Sequence, residues 1–345
     1  MPSLKPYSFA DIQHFFSTRA GEEKLGQTIS YPGNHAWETA LKETEAPYVL
    51  LGIPEDIGVR ANNGIGGAHT GWTAFLSAFL NIQDNSYLCG KDFFLLGHID
   101  CTALLDQVAH TEHAAEPEQL RKATAAIDLV VTPVIRHIVA AGKIPVVIGG
   151  GHNNAYPLLK GLSEARQSPI NVINMDAHAD FRALEGRHSG NGFHYAYKEG
   201  YLKHYAAFGL HEGYNNTDIW NHFNQNEDLC FVTFEDIYLR RKQSFEQGLK
   251  QCLEHVCTTA YGIELDLDSI TDTLSSALSP VGFSRTEALQ YIHTAASHEK
   301  AAYLHLPEGV AQRADGMTYP SIGKLLAYLV QAFVKGNKEL VKSGT

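Results

Sequence analysis

The sequence predicts an α/β fold in which a single, mostly parallel sheet of eight strands carries helices on both faces. Short β-branched and apolar runs recur along the chain, each bounded by Gly, Pro or Asp, as is typical of strands buried on both faces of a parallel sheet. Segments with apolar residues at three- and four-residue spacing alternate with these runs, which favours a parallel α/β sheet. With 345 residues, 44% of them hydrophobic, the chain can bury a large core.

The elements follow one another without a break along the chain. The predicted strands are Tyr48–Pro54, Phe93–Ile99, Ile144–Gly150, Ile170–Asp176, His204–Leu210, Leu229–Glu235, Ala260–Asp268 and Ala301–Pro307. The clearest helical patterns are Glu118–Ala141, Phe245–His255, Ser284–Ala296 and Tyr319–Phe333. Because no linker, charge block or repeat divides the chain, we expect one domain over residues 1–345. Residues 1–47 have weaker periodicity and are expected to form an N-terminal extension packed on the sheet.

Composition excludes several classes of partner. The formal net charge is −11, which gives no positive field for a nucleic acid to follow. The first 21 residues lack the apolar stretch of a signal peptide, and no apolar run reaches the roughly 18 residues needed to span a bilayer. The five cysteines are odd in number and lack short-spaced pairs, which favours reduced thiols. We therefore expect a cytoplasmic protein that binds neither nucleic acid nor membranes.

Potential metal ligands follow two of the predicted strands. The predicted strand Ile144–Gly150 runs straight into Gly151 and His152, and the glycines permit tight backbone geometry. The strand Ile170–Asp176 ends in an Asp-x-His-x-Asp sequence. If this segment stays extended, the period of two places Asp176, His178 and Asp180 on one side. The sequence therefore predicts converging carboxylate and imidazole groups at one edge of the sheet.

A third strand adds two carboxylates to this set. Asp266 and Asp268 end the strand Ala260–Asp268, with the same spacing of two. Carboxylates gathered in a small buried volume would repel one another strongly, and divalent cations would relieve that repulsion. Oxygen ligands with some imidazole and no thiolate favour Mn²⁺, although Zn, Ni or Co is not excluded by ligand type. Two cations sharing carboxylates would generate a hydroxide nucleophile, as a hydrolase requires.

These motifs resemble those of the ureohydrolases, the family that includes arginase, agmatinase and formimidoylglutamase. The resemblance covers roughly residues 48–333. GGGH at Gly149–His152, DAHAD at Asp176–Asp180 and ELDLDSI at Glu264–Ile270 are similar to the family's GGxH, DAHxD and DxD motifs. The resemblance implies an arginase-like three-layer fold, two Mn²⁺ per chain and a homo-oligomer.

The resemblance also implies how six ligands divide between the two ions. It places His152 and Asp180 on one Mn²⁺, His178 and Asp268 on the other, and Asp176 and Asp266 as bridges between both.

Among the members of the family, the chain most resembles formimidoylglutamase. Its Asp180-Phe181-Arg182 and Ser189-Gly190-Asn191-Gly192-Phe193 segments are similar to that enzyme's DxR and SG(T/N)xF pattern. Arginase has a histidine where Phe193 stands, so Phe193 argues against arginase. His194 follows directly, and either Asp180 or His194 is expected to move the proton to the leaving amine.

Charged and polar residues beside the motifs are candidates for substrate binding. Arg182 and Arg187 are expected to bind a substrate carboxylate, with Asn191 beside them, although both arginines could instead pair with Glu185 on the surface. Glu308 ends the last strand and is similar to the family's substrate-binding glutamate. It would accept hydrogen bonds from a planar amidinium, or it would be an exposed acid at a turn. Ile65 stands where family members usually carry an arginine.

The sequence therefore predicts a binuclear Mn²⁺ hydrolase of a small amidine. The resemblance implies N-formimidoyl-L-glutamate as the substrate, with L-glutamate and formamide as products. One alternative is hydrolysis of a guanidino compound such as agmatine, guanidinobutyrate or arginine. The other is an inactive homologue that still binds metal.

Overall fold

The computed structural model describes residues 2–111 and 115–343, and these contain a nine-stranded sheet. Its strands are β1 (Ser3–Pro6), β2 (Tyr48–Gly52), β3 (Phe93–Asp100), β4 (Ile144–Ile148), β5 (Ile170–Met175), β6 (Leu202–Leu210), β7 (Leu229–Thr233), β8 (Tyr261–Leu265) and β9 (Ala301–Leu306). Their order is β1-β3-β2-β4-β9-β8-β5-β6-β7, and all pairs are parallel except β1 with β3. The predicted α/β class is confirmed, and each of the eight predicted strands corresponds to one of β2–β9.

Helices connect the strands and cover the sheet. They are α1 (Phe9–Ile12), α2 (Leu25–Thr28), α3 (Trp37–Glu43), α4 (Ile57–Arg60), α5 (Gly71–Phe79), α6 (Thr102–Gln107), α7 (Pro117–Ala140), α8 (Ala155–Arg166), α9 (Gly192–Lys198), α10 (Thr217–Gln225), α11 (Phe234–Tyr238), α12 (Phe245–Val256), α13 (Arg285–Ala296) and α14 (Ile322–Ser343). Helices α12 and α13 begin at capping boxes, in which Ser244 and Ser284 satisfy backbone N–H groups of the first turn.

Each face of the sheet has its own hydrophobic core. Along β2, Leu50 belongs to one core, whereas Val49 and Leu51 belong to the other, because successive side chains of a strand point to opposite faces. The first core is covered by α5, α12, α13 and α14, and the second by α7, α8, α9 and α10. The three-layer arrangement therefore leaves the ends of the strands open for a functional site.

The N-terminal segment contributes a strand that the sequence did not indicate. Strand β1 pairs antiparallel with β3, and Lys5 lies opposite His98. Close approach is possible because Gly97 has φ +137, and a Cβ there would lie 2.0 Å from the carbonyl oxygen of Lys5. The sheet therefore has nine strands rather than eight, and the first residues of the expected extension belong to the sheet. The single-domain organisation stays a prediction.

Helix α7 is, among the described residues, the one helix long and apolar enough to cross a membrane by length and composition. The sequence analysis expected no such segment. Half of its most apolar window is buried in the structure, and Ile127, Val131 and Ile135 lie fully inside the second core. Because a buried core helix has the same composition, this is weak evidence for a membrane span.

Candidate metal centre

The predicted ligands lie at the carboxyl ends of four neighbouring strands in the middle of the sheet. His152 follows β4, and the Asp176–Asp180 segment follows β5. Asp266 and Asp268 follow β8, and Glu308 follows β9. These strands are adjacent in the order β4-β9-β8-β5, and the ends of such strands are where α/β proteins place their ligands.

The first ligand group is centred on the imidazole of His152. Its Nδ1 atom lies 2.9 Å from Asp180 Oδ2, 3.1 Å from Asp266 Oδ2 and 3.3 Å from Asp176 Oδ2. All four residues are buried, and their ligand atoms lie within 4.8 Å of one another. One nitrogen and three carboxylate oxygens at these distances form a set that could hold a metal ion.

The second group shares Asp176 with the first. His178 Nδ1 lies 3.0 Å from Asp268 Oδ2 and 3.5 Å from Asp176 Oδ1. Asp176 therefore offers one oxygen to each group. Asp266, Asp268 and Glu308 also bring ligand atoms within 4.8 Å of one another. The structure thus brings the six residues predicted as metal ligands together in one place, with Asp176 common to the groups of His152 and His178 and Asp266 in the group of His152.

Two similar turns, rather than extended strands, aim these side chains. The Asp176 carboxylate accepts a hydrogen bond from the His178 backbone N–H at 2.7 Å, and the Asp266 carboxylate accepts one from the Asp268 N–H at 2.8 Å. After β5 the chain leaves the extended conformation, and Asp180 has a positive φ of 46°. The expected extended geometry of Asp176–Asp180 is therefore wrong, because the first aspartate of each motif turns the chain locally.

Charge and unsatisfied polar atoms show that this site fits divalent cations. Burial and the neighbouring Asp176 charge raise the pKa of Asp180 to about 6, and burial and the Asp266 charge raise the pKa of Asp268. Burial would lower the pKa of His152, but the surrounding carboxylates outweigh it and raise the pKa. His152 Nδ1 and Asp268 Oδ1 are buried without a hydrogen-bond partner. A cation would satisfy such atoms and offset the repulsion.

A buried glutamate that the sequence analysis did not single out holds the loop of His152. Glu55 is fully buried and accepts hydrogen bonds from Gly151 N at 2.8 Å, Asn154 Nδ2 at 2.8 Å and Asn153 Nδ2 at 3.2 Å. It also accepts from two backbone N–H groups at the start of α4. Burial raises the pKa of Glu55, and these donors oppose that rise. Glu55 therefore fixes the turn that presents His152.

A cavity of about 280 Å³ opens above the two ligand groups. Glu308 lines it, with a φ of +60° that turns the side chain back toward the ligands. The hydroxyl of Ser276 donates to Glu308 Oε2, and the His152 N–H lies 3.4 Å from Oε1. Glu308 is 4% exposed, so it is not the exposed turn acid of the alternative interpretation. Ser276, which the sequence analysis missed, orients it.

Arg182 lies on the wall of the same cavity and is exposed. Within residues 2–111 and 115–343, its guanidinium has no hydrogen-bond or carboxylate partner. No other arginine and no lysine among the described residues lines the cavity, and Ile65 lies there as well. Arg182 is therefore free to bind an anionic group inside the cavity.

Residues 46–308 match the model of the Arginase family. The chain belongs to the arginase family. Among its curated relatives is a formimidoylglutamase of Streptococcus pyogenes serotype M3, 28% identical over 203 residues, which are 56% of this chain and 62% of that protein. The alignment thus spans less than two thirds of the relative's length.

Solved structures share the fold of this arginase-family chain. A Trypanosoma cruzi formiminoglutamase, solved with Mn²⁺₂, has a TM-score of 0.70 at 21% identity, covering 91% of this chain and 98% of that one. A formimidoylglutamase from Bacillus subtilis has a TM-score of 0.71 at 16% identity, covering 94% of each chain. At these identities the likeness shows the fold alone.

The structure of this arginase-family chain does not bring Arg187 and Asn191 into the cavity. Arg187 is buried, pairs with Asp128 at 2.9 Å and donates to the Asn153 carbonyl at 2.7 Å. Asn191 accepts from Arg187 at 3.0 Å and donates to the Gly186 carbonyl at 2.8 Å. Their polar groups are already used inside the protein. The expectation that they bind substrate is therefore corrected: both brace the loop that carries them.

His194 is also displaced from the ligand groups. Its ring stacks on Phe181 with centroids 4.4 Å apart, and Nδ1 donates to the Arg182 carbonyl at 2.8 Å. It lines a neighbouring cavity rather than the one bounded by Glu308. Because Phe193 is fully buried against His152 and Tyr205, the residue after it points to the other side of α9. The structure does not support the acid/base role expected for His194.

One aromatic residue near the centre had no signal in the sequence. Tyr214 lines the cavity and stacks on the His178 ring, with centroids 5.4 Å apart and planes at 17°. It lies in the loop after β6, a strand whose end carries no ligand motif. Only the three-dimensional structure brings Tyr214 to His178.

Proposed function

We propose that this chain hydrolyses N-formimidoyl-L-glutamate to L-glutamate and formamide at a centre of two Mn²⁺ ions. The observation that carries the proposal is the pairing, in one cavity, of two buried ligand groups with an unpaired arginine. Membership of the arginase family supports the type of reaction. The names of the S. pyogenes and B. subtilis relatives support the substrate.

We assign the metal ligands according to the two groups. His152 and Asp180 would hold one ion, His178 and Asp268 the other, and Asp176 would serve both. The assignment of Asp266 to both ions rests on the resemblance to the ureohydrolases. When bound, such ions supply Lewis acidity and a hydroxide nucleophile at neutral pH. The T. cruzi relative solved with Mn²⁺₂ supports the choice of metal.

Glu308 and Arg182 would hold the two ends of the substrate. The buried carboxylate of Glu308 would accept hydrogen bonds from the planar amidinium and place its carbon above the ligand groups. Arg182 would bind the substrate carboxylate through two parallel N–H donors. This arrangement orients the amidine carbon for attack.

Asp180 would move the proton to the leaving amine. It lines the cavity beside the ligand groups, so its carboxylate lies within reach of the leaving nitrogen of a bound amidine. His194, in the neighbouring cavity, is not part of this step.

The proposal is tested by assaying the Mn²⁺-loaded protein on formimidoylglutamate, agmatine, guanidinobutyrate and arginine. We expect kcat/KM to be highest for formimidoylglutamate, with formamide and glutamate formed in equal amounts. Faster hydrolysis of agmatine would favour the guanidino alternative. The presence of Ile65, where family members usually carry an arginine, is compatible with that alternative. Two bound ions without turnover of any member of the panel would favour an inactive homologue.

We also propose that the chain works in the cytoplasm as a homo-oligomer. The five cysteines are free in the structure, as expected in a reducing compartment. We propose the homo-oligomer because the resemblance to the ureohydrolases implies one. Light scattering on the purified protein would measure the mass of the assembly, and fractionation would locate it.

A further inference from the structure

A buried carboxylate lies behind the His152 ring, on the side away from the ligand oxygens. Glu264 Oε2 is 3.4 Å from His152 Nε2, and both side chains are fully buried. The same carboxylate accepts a hydrogen bond from Tyr303 Oη at 2.6 Å and one from His305 Nδ1 at 2.6 Å. Glu264 is thus held from two sides while it faces His152.

The sheet is built to hold this cluster. In the parallel pairing of β8 with β9, Glu264 lies opposite His305, and Gly262 lies opposite Tyr303. A Cβ at Gly262 would lie 1.9 Å from the Tyr303 ring. Because position 262 is glycine, the ring can lie flat across β8 and reach Glu264 with its hydroxyl. The cluster therefore depends on a specific small residue, two positions before the carboxylate.

The cluster does not suit a third cation, even though His152, Glu264 and His305 bring ligand atoms within 4.8 Å of one another. A cation there would need a lone pair on His152 Nε2. If Nδ1 binds a metal ion at the same time, the ring would have to lose both protons, which costs far more than a neutral imidazole ligand. A proton on Nε2 that points toward Glu264 faces the buried carboxylate with a donor and leaves the Nδ1 lone pair free for a metal ion.

We infer that Glu264 is the positioning residue of the metal centre, which keeps the proton of His152 on Nε2 and directs the free Nδ1 lone pair at the metal ion. The inference rests on the proposed metal centre. Carboxylates behind metal-bound histidines act in this way by fixing the tautomer and orientation of the ring. Tyr303 and His305 act indirectly, because their hydrogen bonds orient the Glu264 carboxylate.

The first test is a Mn²⁺ titration of metal-free Glu264→Gln, with both affinities resolved. The amide keeps the size of the side chain but removes its charge. We expect the site that contains His152 to bind about 10- to 100-fold more weakly. The site that contains His178 should lose less affinity than the site that contains His152, because Glu264 faces His152 and reaches the second site only through the shared Asp176.

Two tyrosines on opposite sides of Glu264 provide a matched pair of variants. Both are fully buried, but Tyr303 donates to the carboxylate, whereas Tyr291 donates at 2.9 Å to the backbone carbonyl of the same residue. Tyr303→Phe should weaken the His152 site by about fivefold, the equivalent of one hydrogen bond. Tyr291→Phe should leave both Mn²⁺ affinities unchanged, although it removes an equally buried hydroxyl.

The outcomes separate this inference from the proposed function. If the wild-type protein binds no Mn²⁺, the proposed metal centre is wrong and the inference falls with it. If the wild type binds two ions and Glu264→Gln binds both as tightly, only the inference is overturned. Equal weakening by Tyr303→Phe and Tyr291→Phe would show that the cluster acts through general stability, and this comparison decides the question if Glu264→Gln does not fold.

Discussion

Asp176 offers one oxygen to each ligand group, whereas Asp180 contributes to the group of His152 alone. We therefore predict that Asp176→Ala weakens the binding of both Mn²⁺ ions, and that Asp180→Ala mainly weakens one. Metal content after dialysis and a two-site titration would measure the contrast. Retention of both ions in Asp176→Ala, or hydrolytic activity that survives this change, would show that the Asp-x-His-x-Asp segment is structural.

Arg182 should determine which substrates the cavity binds by the end that lies away from the amidine or guanidine group. Arg182→Ala removes hydrogen bonds to a charged group, which are worth about 1.5–3 kcal/mol, or roughly 10- to 150-fold in kcat/KM for formimidoylglutamate. Turnover of agmatine, whose far end is a cation, should not fall. Arg136→Ala is the control, since Arg136 forms a surface ion pair with Glu164 on α8. Unchanged kinetics for formimidoylglutamate in Arg182→Ala would remove Arg182 from the substrate site.

The sequence predicted which carboxylate and imidazole side chains the structure brings together, but it predicted the positions of the arginines less well, for a physical reason. Ligand spacing follows from the strand period and from where strands end, and both are local features. The position of the Arg187 side chain depends on residues elsewhere in the chain. Its guanidinium pairs with Asp128 and lies 4.5 and 5.0 Å from the ring centroids of Tyr156 and Tyr195. No local pattern separates this buried arginine from the exposed Arg182 five residues earlier.

At the scale of elements, the strands were predictable and the turns that follow them were not. The runs that became β2–β9 are apolar on both faces, which is a strong signal. Strand β1 is short, contains Pro6 and lies at the sheet edge, so its sequence carries no such signal. The turns after β5 and β8 depend on hydrogen bonds from aspartate side chains to the backbone, which override the extended conformation expected from spacing.

The loop between β4 and α8 depends on Glu55, and this dependence can be measured. Glu55→Ala would leave several buried N–H donors without a partner, each at a cost of about 1–3 kcal/mol. We expect the free energy of unfolding to fall by about 3 kcal/mol or more. Urea denaturation of the metal-free protein measures this change. Ser284→Ala, which removes a helix cap at α13, should cost only about 1 kcal/mol, and an equal loss in both variants would contradict the role of Glu55.

At the scale of the whole molecule, the architecture places the site. Helices on both faces bury the strands, so a substrate can reach polar groups only where strands end. The three strands that carry the proposed ligands, and β9, which carries Glu308, are neighbours in space although they come from distant parts of the chain. Their convergence is a property of the strand order, which the sequence did not reveal, since crossovers place β9 and β8 between β4 and β5.

The proposed metal centre joins three central strands, β4, β5 and β8, so its occupancy should control the stability of the whole fold. With free Mn²⁺ at 100 times Kd, each site stabilises the folded state by about 2.7 kcal/mol. Two sites should then raise the thermal midpoint by about 7 °C for a chain of this length. Calorimetry with Mn²⁺ and with a chelator measures the shift. The rise should nearly vanish in Asp176→Ala, because that variant loses the residue shared by both groups. A wild-type midpoint that does not respond to Mn²⁺, or an equal rise in Asp176→Ala, would show that metal binding does not link these strands.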